Sequence, residues 1–288
     1  MPGKIFDDDF IRELKLLPAF VSRFRGSKRE GLRVSKDRGG RVEFKDFRSF
    51  SEGDDFRSID WNVYARTEQL FVKEFTKDER LPVYILVDNS RSMDFGGPSK
   101  AVLARRAACM FAYMALAAKG EVSVALFDGG TVRDFPPVTG PERIYEVMRF
   151  LENTPVREET DIARAVTAFL DKTKGRGVVL LVSDFLDERD FCGALARLRE
   201  RFKDLTLVFV SEKLPEDLRG AFQLFDSETG EAMDAVVTEA DASRYLVLEG
   251  ALVKKLHDFA VTHKTSFIAA SNTDPPIGIV KAYLTGQG

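Results

Sequence analysis

Three observations predict an α/β fold built on a mostly parallel sheet with helices on both faces. Six short β-rich runs recur along the chain, at Val83–Val87, Val122–Phe127, Thr131–Phe135, Val178–Val182, Leu205–Val210 and Ser266–Ala270. Four of them are nearly continuous apolar runs, the pattern of strands covered on both faces. Helix-like segments separate most of them, and strand–helix–strand alternation implies parallel pairing.

Taken in order, the chain opens with a charged, helix-compatible stretch to about Phe20. A basic stretch containing Gly39-Gly40 follows, then strand-like Arg41–Phe50 and the sequence Glu52-Gly53-Asp54-Asp55. A short helix is predicted through Arg66, with Phe56, Ile59 and Val63 along one face, and Leu70–Phe75 reads as another strand. Two short strands bury too little to stand alone, so residues 1–80 are expected to form a small amino-terminal segment docked on a body formed by 81–288. In that body Ser99–Lys119 is a long Ala-rich helix stopped by Gly120. Pro141–Asn153 begins with proline and puts Ile144, Val147, Met148 and Leu151 on one stripe. Thr160–Lys174, Asp190–Phe202 and Asp241–Thr262 complete the helices. Only Asp128-Gly129-Gly130 joins the second and third runs, which forces one antiparallel strand. A late β-hairpin insertion is predicted at about 221–238, turning within Asp226-Ser227-Glu228-Thr229-Gly230.

Composition narrows the function. The 288 residues are 44% hydrophobic and 31% charged, as in soluble globular proteins. A net charge of −3 argues against a general nucleic-acid binder. Locally, Val21 to Phe50 holds ten Lys/Arg against four Asp/Glu, which suits a solvated arm or a surface facing phosphates, a membrane or an acidic partner. Two cysteines, Cys109 and Cys192, exclude a disulfide framework and fit a reducing compartment. The longest uncharged apolar stretch, Ala107–Ala118, has twelve residues, where a bilayer needs about 20. With no basic-then-apolar leader, the expectation is a cytoplasmic protein without a transmembrane segment.

The chemistry concentrates where the first body strand ends, in Asp88-Asn89-Ser90-Arg91-Ser92. Ligands of open α/β sheets bind outside the carboxyl ends of strands. One carboxylate and two hydroxyls in a tight loop are a hard-cation donor set, Mg²⁺ above all. Ser183-Asp184 supplies a second carboxylate one strand over, and Thr160-Asp161 a further hydroxyl. The candidate metal ligands are therefore Asp88, Ser90, Ser92, Thr160 and Asp184. Mg²⁺ is the expected cofactor, with Mn²⁺ or Ca²⁺ as alternatives.

This arrangement resembles the metal-ion-dependent adhesion site (MIDAS) of von Willebrand factor A domains. The resemblance implies a three-layer, Rossmann-like fold in which Ser90, Ser92 and Thr160 give hydroxyl oxygens and Asp88 and Asp184 often act through water. An open position on the metal would then take an acidic side chain of a partner. Upstream, Gly40-Arg41-Val42-Glu43-Phe44, Arg48 through Trp61, Ala65-Arg66 and Val72-Lys73-Glu74-Phe75 resemble the bacterial and archaeal family called domain of unknown function 58. Ser183-Asp184-Phe185 and Leu224 through Gly230 suit it too. That resemblance implies a protein-binding role beside a MoxR-type AAA+ ATPase, in assembling or activating a client protein, with no established catalysis. The chain departs from the family pattern at Arg157-Glu158-Glu159-Thr160, where glycine usually precedes the threonine, and at Ser211-Glu212, which replaces Asp-Pro.

Several features carry a plainer reading. Arg48, Asp54, Asp55, Arg57, Asp60 and Arg66 can lock a small subdomain by ion pairs, with partner binding as the second reading. Trp61 is expected to anchor a core. Asp187, Glu188 and Asp190 read as a solvated helix start. His257 and His263, the only histidines, do not converge on a helix. Gly96-Gly97-Pro98-Ser99-Lys100 lacks the order of a phosphate loop. The competing enzymatic reading is a metal-dependent hydrolase with Asp184, Glu158 or Glu159 as base.

Overall fold

The computed structural model describes residues 4–17, 42–51, 59–77, 82–95, 97–129, 131–156, 159–173, 175–202, 204–213, 220–225 and 232–286. Side chains are outside that description at 42–48, 73–77, 220–225, 232–237 and 242. The chain divides into two compact units, one formed by Met1–Arg29 with Leu81–Gly288 and the other by Glu30–Arg80.

The larger unit is a six-stranded sheet. Its strands are β3 (Pro82–Asp88), β4 (Glu121–Asp128), β5 (Thr131–Thr139), β6 (Val178–Ser183), β7 (Asp204–Ser211) and β10 (Ser266–Ser271), in the order β10-β7-β6-β3-β4-β5. All neighbours are parallel except β4 and β5, which pair antiparallel. The central strands read as continuous apolar runs because they are covered on both faces. On β6, Val178, Leu180 and Val182 enter one core, while Val179 and Leu181 enter the other.

The first core is filled by α3 (Lys100–Ala117), α4 (Ile144–Asn153) and α8 (Pro276–Thr285), the second by α5 (Ile162–Lys172), α6 (Cys192–Arg201) and α7 (Glu239–His263). Helix α3 is buried around most of its circumference, which explains why its sequence is Ala-rich rather than amphipathic. A β8–β9 hairpin (Gly220–Phe225 and Ala232–Val237) pairs antiparallel between β7 and α7 in the chain. The capping box of Thr238 and Asp241 starts α7.

Helix α1 (Asp8–Leu14), from the amino-terminal segment 1–80 expected to dock on the body, lies in the larger unit. Phe6, Phe10, Leu14 and Leu17 enter the same core as α3, and Arg106 binds the Asp7 carboxylate at 2.6 Å. Helix α8 was not predicted. Pro275-Pro276 looks like a breaker, yet Pro276 occupies the first helical turn, where a missing N–H costs nothing, and Ile279 and Val280 are buried.

In the smaller unit, β1 (Val42–Ser49) and β2 (Phe71–Lys77) pair antiparallel with a bulge between Phe44 and Asp46. Between them lies α2 (Trp61–Thr67), capped by the buried Asp60 carboxylate, which accepts from Asn62 N at 2.9 Å.

Candidate metal centre

The chain leaves β3 on one side to form β4 and returns on its other side as β6, so the carboxyl ends of β3 and β6 flank the switch point of the sheet. Val87 pairs with Val182, which sets Asp88 level with Ser183 and puts Asp184 one residue further out. Beyond Asp88 a short 3₁₀ turn, Arg91–Asp94, folds Ser90 and Ser92 back over the strand end.

Asp88 is the hub. Its Oδ1 accepts from Ser90 N at 3.0 Å, and its Oδ2 accepts from Ser183 Oγ at 2.5 Å. Thr160 Oγ1 lies 3.3 and 3.2 Å from the two oxygens. Ser90 Oγ and Ser92 Oγ are 3.1 Å apart. Burial, and then the charge of Asp184, hold the Asp88 carboxyl above the ordinary carboxylate range, against hydrogen bonds from Ser183 and Ser90 that pull it down.

Asp184 is solved differently. Its Oδ2 takes Lys100 Nζ at 2.6 Å, and its Oδ1 accepts from Leu186 N at 3.1 Å. Both side chains are buried, Lys100 at 7% exposure and Asp184 at 2%. Lys100 comes from the first turn of α3.

The loop carrying Thr160 is held by groups that looked solvated in the sequence. The Asp187 side chain is fully shielded, although its backbone is partly open. Its Oδ2 accepts from Ile162 N at 2.9 Å, at the start of α5, and its Oδ1 accepts from Arg189 Nε at 3.0 Å. Arg189 donates in turn to the Thr160 carbonyl. Asn89 ties the same loop from the other side. Its Nδ2 donates to the Pro155 carbonyl at 2.7 Å, while buried Arg105 donates to Asn89 Oδ1 at 2.5 Å and to the Thr154 carbonyl at 2.9 Å. A cleft of about 160 Å³ opens over the site, lined by Ser90, Ser92, Glu159, Thr160, Asp187 and Arg189 among others.

The donor set suits a small hard cation. Mg²⁺ takes six oxygens at about 2.0–2.1 Å, which puts neighbouring ligands about 3 Å apart, and the Ser90–Ser92 separation of 3.1 Å matches that edge. A hydroxyl that donates to Asp88, as Thr160 does, turns its lone pairs away from the carboxylate. Among the described residues no group of three or more His, Cys, Asp or Glu side chains converges as a metal site, and the oxygens gathered at this strand end are mostly hydroxyls.

The structure thus brings Asp88, Ser90, Ser92, Thr160 and Asp184 together. Lys100, Ser183, Asp187 and Arg189 join them and were not singled out as site residues. The tentative partner cluster is mostly beyond reach: Asp54, Asp55 and Arg57 lie outside the described residues, as does the Arg48 side chain. Asp60 is a buried helix cap and Arg66 is exposed. The expectation for Trp61 is corrected. It is 59% exposed and meets Tyr64 edge-on at 6.0 Å, on a helix that buries none of its residues.

The model of the family described as "Protein of unknown function DUF58" matches residues 46–251, and the chain belongs to that family. Uncharacterized proteins of Mycobacterium bovis and Mycobacterium tuberculosis are each 27% identical over 192 residues, covering 64% of this chain and 60% of theirs. The chain therefore spans 60% of the length of these curated relatives. Among solved structures, the conserved hypothetical protein BatB from Bacteroides thetaiotaomicron is similar, with a TM-score of 0.47, 16% identity, and coverage of 72% of this chain and 96% of that one. The SpRpn10 VWA domain is also similar, with a TM-score of 0.43, 10% identity, and coverage of 73% and 98%. The sheet itself has six strands, all parallel to their neighbours except the β4–β5 edge pair. No helix among the described residues is long and apolar enough to cross a membrane.

Proposed function

We propose that this chain is a non-enzymatic protein-binding module whose grip depends on a divalent cation, Mg²⁺ in the first instance. The carrying observation is the convergence of Ser90, Ser92 and Thr160 hydroxyls around buried Asp88 at the switch point of the sheet. Those three hydroxyls would hold the ion directly, with Asp88 and Asp184 behind them. Bound there, the cation supplies an open coordination position for a carboxylate oxygen of a partner. Few direct carboxylates leave such a position electrophilic.

Asp184 supports a binding role over hydrolysis. Both its oxygens are engaged, by Lys100 and Leu186 N, so it is poorly placed to take a proton from water. The family resemblance supplies the proposed partners, a MoxR-type AAA+ ATPase and a client protein that the pair assembles or activates.

The test is affinity capture from the source organism's lysate in Mg²⁺, in chelator, and with Asp88→Ala. Capture of an AAA+ ATPase that requires both Mg²⁺ and intact Asp88 supports the adaptor role. Identical capture under all three conditions overturns the metal-dependent reading.

A further inference from the structure

The proposed metal centre already contains a cation of its own. Lys100 Nζ sits 2.6 Å from Asp184 Oδ2, and both groups are shielded from water. With Asp88 ionised, as a bound divalent ion requires, two carboxylates and one ammonium give this buried cluster a single negative charge. A divalent ion would turn that into a single positive charge. Without Lys100 the loaded cluster would be neutral.

We infer that Lys100 is a built-in counter-cation that keeps the site from holding a divalent metal tightly on its own and makes metal binding depend on the arrival of an anionic partner group. This rests on the metal-dependent reading given above. Two positive charges that share the neighbourhood of Asp184 repel, and in a buried site water does little to screen them. An incoming carboxylate cancels the surplus charge, so metal and acidic ligand must favour each other's binding. Linkage makes that help equal in both directions. The fold holds the device in place, because Lys100 is anchored in the first turn of α3, the most deeply packed helix, and cannot swing out without leaving Asp184 unpaired.

The experiment titrates Mn²⁺ into the full chain and reads the free ion by electron paramagnetic resonance, with and without sodium acetate as a stand-in carboxylate. Wild type, Lys100→Met, Lys100→Gln and Asp88→Ala are compared. Lys100→Gln keeps an N–H donor for Asp184, so it serves if Lys100→Met fails to fold. Both neutral variants are expected to bind Mn²⁺ about tenfold more tightly than wild type without acetate. Acetate should strengthen wild-type binding and do much less for the variants. The unfolding temperature of Lys100→Gln should also rise further with Mn²⁺ than that of wild type. If wild type binds Mn²⁺ through Asp88 and the neutral variants bind no more tightly, the role of Lys100 is overturned while the metal site stands. If no protein shows Mn²⁺ binding that Asp88→Ala removes, the metal reading fails and takes this inference with it.

Discussion

The two strand ends that meet at the switch point start from the same parts and reach opposite solutions. Each ends a buried apolar strand with a buried carboxylate in a tight turn. Asp88, at the end of β3, is surrounded by hydroxyls and a backbone N–H, all neutral. Asp184, just past β6, is answered by an ammonium. A carboxylate among neutral donors has no resident cation to displace. One paired with lysine already has a cation of its own. The difference teaches that a site with two acidic residues need not have two acidic ligands.

The largest effect should come from breaking the paired end. Asp184→Ala leaves the Lys100 ammonium buried with no counter-charge, which should cost about 3–5 kcal/mol of stability by chemical unfolding. Because both side chains are almost fully shielded, solvent screening gives little relief. The double variant Lys100→Met/Asp184→Leu removes both charges and should recover most of that loss. If Asp184→Ala alone costs under about 1 kcal/mol, the pair is not the buried, unscreened contact described here.

An intermediate effect is expected at Asp187, which holds the Thr160 loop between the two ends. Asp187→Ala frees Ile162 N at the start of α5 and releases Arg189 from its carboxylate. The loss should be about 2 kcal/mol, nearly all from the shielded helix-start contact, since the Arg189 pair is half in water. Because Thr160 loses its clamp, divalent-ion binding should weaken in the same variant. A stability loss with unchanged Mn²⁺ affinity would show that Arg189 does not position Thr160.

These contrasts also explain what was legible from the residues. The sheet could be read because its central strands are covered on both faces and so appear as apolar runs, and because Asp128-Gly129-Gly130 is too short for a crossover. Asp88, Ser90 and Ser92 could be read because their donors lie within five residues. Lys100 could not. It is 84 residues from Asp184 in sequence and looks like an ordinary helix start, and burial of a lysine leaves no mark on local periodicity. Asp187 was misjudged for a related reason. Acidic residues at a helix start are usually solvated, but this one accepts from Ile162 N, 25 residues away in the sequence. Trp61 followed the opposite course, since an aromatic residue beside apolar spacing suggests a core, yet α2 buries none of its residues.

The smallest effect on stability, and the sharpest on function, should fall at the unpaired end. Asp88→Asn keeps one oxygen for Ser90 N and Thr160, and the Ser183 hydroxyl can rotate to accept from the new amide. It also removes a charge that burial and Asp184 oppose. Stability without metal should therefore change by no more than about 1 kcal/mol, in contrast to Asp184→Ala. Binding of Mg²⁺ at ten times its dissociation constant stabilises a folded protein by about 1.4 kcal/mol, and Asp88→Asn should abolish that increment. Thermal unfolding in Mg²⁺ and in chelator measures both quantities at once. A variant that folds normally and still gains stability from Mg²⁺ would place the ion away from Asp88. One that loses as much stability as Asp184→Ala would mean that the hydroxyl cage depends on the full negative charge, and the two strand ends would then differ less than their partners suggest.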